Sequence, residues 1–281
     1  MTRELELVAS DGVRLAATLF EPPAKASRAV AIQAAVGVPQ RFYGKFAAYL
    51  AGRGFTTLTY DYRGIGRSRA RPLRGDPAHL LDWVERDIPA AWDALEAAAP
   101  AARLYAVGHS FGGQAMGLQP KPERIAAMLA VGSQSGYWKH WDGLGRLGMW
   151  GFTHVAIPAT ARLFGYAAAS RIGMGEDLPR DVALEWVRWC RDPEYVVGAL
   201  GAHARFARLA VPLRVISPTD DRFAPERAVR ALVALYPNAT GEIRRVTPAE
   251  LGVKSIGHFG FFREHFRDTL WREAADWLEA Q

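Results

Sequence analysis

The sequence predicts an α/β domain built on a mainly parallel sheet of about eight strands, with helices on both faces. Two observations carry this expectation. Short apolar runs such as "AVAIQAA" (Ala29–Ala35), "LYAVGHS" and "IAAMLAVGS" lack polar alternation, as strands buried on both faces do. Between such runs stand stretches with apolar residues at helical spacing, and strand–helix–strand repetition favours parallel pairing. Size agrees: 281 residues can bury a large core without disulfide staples. The single cysteine, Cys190, reads as a free buried thiol, since it has no partner in the chain.

Along the chain, "ELELVAS" and "VRLAATLF" predict two antiparallel strands around an Asp11-Gly12 turn. The strand at Ala29–Ala35 leads into a helix in "FYGKFAAYLAGRG", with Phe42, Phe46 and Leu50 on one face and Gly54 as its stop. "FTTLTYDY" is the next strand. Asp87 is expected to cap a helix "IPAAWDALEAA", whose Pro89 is tolerable in the first turn. Two more strands follow. The pattern then breaks from about Gln134 to Arg208. No strand is evident there, and five of the nine tryptophans fall in it: Trp138, Trp141, Trp150, Trp186 and Trp189. "DVALEWVRWC" reads as a helix capped by Asp181. The expectation is a helical insertion after the sixth strand, placed over the strands' C-terminal edge, dividing the chain into 1–133, 134–208 and 209–281. The α/β pattern resumes with a strand at Leu213–Pro218, a helix near "PERAVRALVALYP" and a strand "GEIRRVT". A last helix carries Phe262, Phe266, Leu270, Ala274 and Trp277 on one face.

Composition bounds the function. The net charge of +6 comes from scattered arginines rather than basic blocks. No zinc-finger, basic-zipper or RNA-binding signature accompanies it, so nucleic acid is not an expected partner. The charged, alternating N-terminus does not read as a signal peptide. The most apolar stretch, "LGMWGFTHVAIPATARLFGYAAA", is interrupted by His154, Pro158 and Arg162 and does not read as a membrane span. With one cysteine, the chain suits the cytoplasm. No His/Cys/Asp cluster has metal-ligand spacing. "DYRGIGRS" places Gly64 and Gly66 after a strand, but Arg69 stands where a dinucleotide loop needs its third glycine. No cofactor is expected.

The stretch "VGHSFGGQAM" holds Ser110 between Gly108 and Gly112, where a buried strand ends and a helix begins. A side chain on so sharp a turn is pushed out above the sheet edge, and small neighbours relieve the crowding: this is a G-x-S-x-G elbow. The Phe111 N–H, at the helix start, is aimed where an oxyanion would form. A serine of ordinary acidity needs a base, and the base needs an orienting acid. Asp220 and Asp221 follow the strand "LRVIS", and His258 lies in "GHFGFF" after "GEIRRVT"; both sit in strand-end loops. His265 reads as part of the final helix, and His109 as locked into the elbow with its ring turned from Ser110. His79, His140, His154 and His203 read as surface or packing residues. Counting back from the first crossover helix, the loop "AAVGVPQ" offers the Val36 N–H as a second oxyanion donor, with Gly37 letting the loop bend.

"GHSFGG", "TYDYRGIGRS", "TDDRFAP" and "GHFGFF" together resemble the α/β-hydrolase superfamily. "GVPQRFYGKFAAYLAGRGFTTLTYDYRGIGRS" and "EDLPRDVALEWVRWC" are similar to bacterial hydrolases of that fold close to the serine aminopeptidase-like and monoacylglycerol-lipase-like branch. The resemblance implies an α/β-hydrolase fold with a helical cap after the sixth strand, and a triad of Ser110, Asp221 and His258. Asp221 is favoured over Asp220 because family acids usually stand four residues before a proline, here Pro225. Many relatives carry His-Gly where this chain has Ala34-Ala35, so its oxyanion loop departs from the pattern. The expected activity is a carboxylesterase or lipase-like cleavage of a small or medium acyl ester through an acyl-enzyme. Thioesterase, acyltransferase and small-peptide amidase activities use the same triad, and a non-catalytic binding protein is the alternative of another class. Trp138, Trp141 and Trp150 are candidates to line an acyl pocket, or else to form the cap's own core.

Overall fold

The computed structural model describes residues 1–173 and 175–281. Its centre is an eight-stranded sheet. In chain order the strands are β1 (Thr2–Val8), β2 (Arg14–Phe20), β3 (Arg28–Gln33), β4 (Phe55–Tyr60), β5 (Arg103–His109) and β6 (Ile125–Val131), then β9 (Pro212–Pro218) and β10 (Thr240–Val246). They lie in the order β1-β2-β4-β3-β5-β6-β9-β10. Only β1–β2 and β2–β4 pair antiparallel; all other neighbours are parallel. Burial explains the composition. β4 is buried at every position, and β3 at every position after Arg28, because helices cover both faces. At the edges, β1 alternates from Glu4 to Val8, and β10 is exposed or half-buried at every position before Val246.

The strand order places a site. From β3 the chain crosses to β4 on one side and later returns to β5 on the other. The loops leaving the C-terminal ends of β3 and β5 therefore part in opposite directions and leave a crevice. Gln33 of β3 is in register with Gly108 of β5. The segments Ala34–Gly37 and Ser110–Phe111 thus open at the same edge.

Between β6 and β9 the chain is mostly helical, with helices Gly143–Gly151, Ile157–Phe164, Arg180–Trp189, Tyr195–Leu200 and His203–Ala207. Contrary to the expectation of no strand, Tyr166–Ala167 (β7) and Leu178–Pro179 (β8) form a two-residue antiparallel ribbon. It is too short for a periodic sequence signal.

Three local expectations need correction. Asp181 does not cap its helix. Pro179 holds the cap position, and Asp181, in the first turn, pairs with Arg180 at 2.9 Å. Asp87 is no cap either: the helix already begins at Leu80 and runs through a widened π-turn at Trp83–Asp87 into Ile88–Ala98. The wide turn makes room for Pro89, which lacks an N–H and would clash with the carbonyl four residues back. The carboxylate that serves this helix start is Glu185 of the later helix, accepting from the N–H groups of Leu80 and Leu81 at 2.8 and 3.3 Å. Finally, Phe262 is not on the last helix. It lies in a bend after the short helix Gly257–Gly260, and the closing helix begins at Glu264. That helix buries Leu270, Trp271, Ala274, Ala275 and Leu278, whereas Trp277 is only half-buried.

Asp87 has a different task. Its buried carboxylate accepts from the Arg63 N–H at 2.9 Å and from Arg63 Nε at 2.8 Å, and Arg63 also bonds Asp11 at 2.6 Å. The Arg63 carbonyl accepts from Trp83 Nε1 at 3.1 Å. Trp83 stacks on Tyr62 at 4.6 Å, and both present edges to Phe111. The ion pair thus fixes the aromatic wedge behind the residue that follows Ser110. Burial pushes the Asp87 carboxyl up to about 6 even beside Arg63, while the Arg63 hydrogen bond holds Asp11 down at about 2. Arg63→Met should cost about 3–5 kcal/mol at neutral pH, because it strands a buried carboxylate. The deficit, read from urea unfolding, should shrink as pH falls and Asp87 takes a proton; a pH-independent deficit would contradict this role.

Candidate active site

Among the described residues, Ser110 is one of two non-glycine residues with positive φ, at φ 50° and ψ −110°. Such a conformation costs of order 1–3 kcal/mol and persists only where packing enforces it. Here the enforcement is contact between the helix Phe111–Ala115 and the sheet. A Cβ on Gly112 would stand 2.1 Å from the Gln33 carbonyl oxygen, and one on Gly108 would stand 2.5 Å from the Gly113 nitrogen. Glycine at both positions lets the helix settle onto β3 and β5, which turns the Ser110 side chain outward.

Asp221 and His258 meet. His258 Nδ1 lies 2.7 Å from Asp221 Oδ2, with the two side chains 7% and 0% exposed. Asp221 Oδ1 accepts from the N–H groups of Phe223 and Ala224 at 2.8 and 3.1 Å, so the carboxylate is fixed by its own loop. Asp220 points elsewhere: its two oxygens accept from the N–H groups of Ile256 and Gly257 at 2.9 and 3.0 Å. It holds the His258 loop and leaves the imidazole to its neighbour. Gly132, at φ +56°, packs against the pair; a Cβ there would lie 3.2 Å from both Asp221 Oδ2 and His258 Nδ1.

Ser110 and His258 line one cavity of about 340 Å³, together with Ala35, Val36 and Phe111. Among the described residues no hydrogen bond joins Ser110 Oγ to His258; such contacts are often long in a free site and tighten with substrate. The N–H of Phe111 is the first of its helix and has no intrahelical acceptor. Among the described residues, the Val36 N–H donates to nothing. Val36 is held from both sides. The Ala35 N–H donates to Tyr43 Oη at 2.9 Å, and the Gly37 carbonyl accepts from the Glu176 N–H at 2.6 Å. Gly37 adopts φ +70°, as its place in the bend requires.

His109 is turned from Ser110 but is not idle. The ring is fully buried, and burial, reinforced by the neighbouring His258 imidazole, holds its pKa well below the ordinary value. The neutral ring therefore has one donor and one acceptor. Nε2 lies 3.0 Å from the His258 carbonyl, and Nδ1 lies 2.9 Å from Tyr43 Oη. A carbonyl can only accept, so Nε2 carries the hydrogen and Nδ1 accepts from Tyr43. One directed chain then runs from the Ala35 amide through Tyr43 and His109 to the backbone of His258. Sequence spacing gave no signal for Tyr43, which sits on an irregular turn at Gln40–Tyr43.

The rest of the cavity wall is aromatic and aliphatic: Trp141, Met149, Phe152, Trp186, Phe223 and Phe259, with Gln114 and Gln134 as polar groups. Trp141 is pinned by donating from Nε1 to the Arg222 carbonyl at 2.9 Å. Trp186 Nε1 donates to Tyr195 Oη, which donates to Gln114 Oε1 at 2.7 Å. Of the three expected tryptophans, only Trp141 faces the cavity. Trp150 points outward and stacks on His154, and Trp138 packs against Tyr137 and His154 with Lys139 over its ring. Trp189 is buried in the core and stands edge-on to Tyr195. Phe259 directly follows His258, Phe223 lies two residues after Asp221, and Gln114 lies one helical turn beyond Ser110; those offsets were the available signals.

Gly64 and Gly66 answer to packing. A Cβ at Gly66 would stand 2.6 Å from the Asp61 carboxylate, and one at Gly64 would stand 2.6 Å from the Pro179 ring. Cys190 is buried, which raises its thiol pKa and removes it from nucleophilic chemistry.

A model of the alpha/beta hydrolase family matches residues 35–269. Among solved structures, the chain is similar to an esterase of Pyrococcus furiosus at 13% identity, covering 100% of this chain and 91% of that one with a TM-score of 0.63. It is similar to Est1E of Butyrivibrio proteoclasticus, solved with ferulic acid bound, at 18% identity, 98% coverage of each chain and a TM-score of 0.64. The esterase domain of a Rhodothermus marinus protein aligns at 15% identity, 98% coverage of each and a TM-score of 0.61. At these identities the likeness is one of fold. No curated protein matches by sequence.

Tyr43→Phe removes the middle of the directed chain and leaves the Ala35 N–H and His109 Nδ1 without partners. It should cost about 1–3 kcal/mol of stability and speed hydrogen exchange at the Ala35 amide. Unchanged exchange at Ala35 would show that the tyrosine does not hold this loop.

Proposed function

The chain belongs to the alpha/beta hydrolase family, and from that premise we propose that it is a serine hydrolase that cleaves carboxylic esters through an acyl-enzyme on Ser110. The observation that carries this reading is the buried Asp221–His258 pair, 2.7 Å apart, opening into the same cavity as the strained Ser110. Asp221 holds the hydrogen on His258 Nδ1, which leaves Nε2 free to accept a proton.

His258 takes the Ser110 hydroxyl proton as Oγ attacks the ester carbonyl. The tetrahedral oxyanion is held by the N–H groups of Phe111 and Val36, both without acceptors among the described residues. The C–O bond to the leaving alcohol breaks, and His258 returns the proton to that oxygen. Water then attacks the acyl-enzyme with His258 again as base, releasing the acid and restoring Ser110. Asp221 orients the imidazole throughout and stabilises its charged form. Asp220 acts one step back, as a positioning residue for the His258 loop.

The segment 134–208 serves as a cap over this site. Trp141, Met149, Phe152 and Trp186 bring its apolar side to the cavity, and an apolar wall beside a few polar groups suits an acyl chain. The preferred substrate is an ester with a medium acyl chain rather than acetate.

Two measurements test this. Across a series of nitrophenyl esters, kcat/KM should rise from acetyl to medium chains; a flat series would contradict the acyl pocket. Ser110→Ala and Asp221→Asn should each lose roughly 10⁴-fold or more in turnover, whereas Asp220→Asn should lose far less. Full activity without Ser110, or loss confined to Asp220→Asn, would contradict the assignment.

A further inference from the structure

The helix Gly143–Gly151 is out of keeping with its surroundings. Four of its nine residues are glycine, the weakest helix former after proline, and it buries no side chain. Its outer side carries Leu144, Leu147 and Trp150 at i, i+3 and i+6, exposed by 86%, 64% and 41%. Val155, Leu163 and Phe164 extend the exposed apolar surface along the continuing chain. Of the nine large apolar side chains exposed among the described residues, these six lie between 144 and 164. A helix of this composition gains little from staying in water and gains from an apolar medium on its outer face.

The charge around the patch selects that medium. From residue 143 to 175 the sequence has no Asp or Glu, yet it contains Arg146, Arg162 and Arg171. Arg146 pairs with Asp142 at 3.0 Å, whereas Arg162 and Arg171 are exposed and have no carboxylate partner among the described residues. An apolar face rimmed by unneutralised arginines matches the acyl and phosphate layers of an anionic bilayer. A second copy of the chain fits worse. A two-fold contact would bring both sets of arginines to one seam, and this segment offers no acid to neutralise them. Crossing the bilayer is a different matter, since no described helix is long and apolar enough for it.

We propose that the outer face of residues 143–164 docks on the surface of anionic phospholipid membranes. The inner side of the same segment presents Met149 and Phe152 to the cavity, so docking sets the cavity wall against the bilayer. The proposal concerns binding and does not rest on the role of Ser110.

The test is flotation of the whole protein with vesicles of phosphatidylcholine containing one third phosphatidylglycerol, against vesicles of phosphatidylcholine alone. The protein should float with the anionic vesicles and do so less as salt rises. Leu147→Glu and Leu163→Glu, both at exposed positions, should each reduce the bound fraction about tenfold or more with unchanged Tm. Arg162→Gln should weaken binding to the anionic vesicles only. The proposal is overturned if the protein stays in solution with both vesicle types, or if Leu147→Glu floats as well as the parent. It is equally overturned if sedimentation velocity shows a dimer that Leu147→Glu dissolves while neither vesicle is bound. None of these readouts involves hydrolysis, so failure here leaves the esterase reading standing, and the reverse.

Discussion

The site depends on one close approach, that of the helix after Ser110 to the strands β3 and β5. Gly112 lies against the Gln33 carbonyl with no space for a methyl group, and Gly108 leaves none against the helix backbone either. This contact forces Ser110 into its unusual φ, and that conformation lifts the hydroxyl above the sheet edge. It also leaves the Phe111 N–H at the head of the helix, without an intrahelical acceptor. Any Cβ at Gly112 would push the helix off the sheet and take the serine and the amide with it.

Around this fixed turn the other groups are held by polar bonds in a buried setting, where an unmet partner is costly. The His258 loop is tied at two points. Asp220 takes the N–H groups of Ile256 and Gly257, and His109 donates to the His258 carbonyl. His109 is covalently next to Ser110, so the residue beside the serine also fixes the backbone of the histidine. Through Tyr43 the same ring reaches Ala35, and so the loop carrying Val36. A charged imidazole at position 109 would reverse the Tyr43 bond and break the chain, and burial guards against this by disfavouring the charged form. The loops carrying Asp220, His258 and Val36 are thereby referred to one buried ring.

Much of the core was legible in the sequence because its signals are local. Unalternated runs mark strands such as β3 and β6, glycines mark the elbow, and strand-end loops bring Asp221 and His258 to one edge. Legibility failed where tertiary contacts decide. Asp87 looks like a cap, yet Arg63, 24 residues earlier, claims its carboxylate. The start of its helix is instead served by Glu185, more than a hundred residues later. Tyr43 sits on an irregular turn with no periodicity, so its link to His109 emerges only in three dimensions. The tryptophans were the hardest. Composition grouped Trp138, Trp141, Trp150, Trp186 and Trp189, but the helix faces on which they fall send them to the cavity, the core or the solvent. The glycine-rich helix Gly143–Gly151 is apolar on both sides, Met149 facing the cavity and Leu144, Leu147 and Trp150 facing water, a division that composition alone renders as a merely apolar stretch.

The most direct test of the central claim is covalent. The folded protein is treated with a fluorophosphonate, which reacts with a serine only when a base activates it and amides hold the developing oxyanion. The adduct is then mapped by peptide mass. The account predicts one adduct, on Ser110, that is suppressed in Asp221→Asn and forms readily in Asp220→Asn. A folded protein whose Ser110 stays unmodified, or that is labelled at another serine instead, would contradict it.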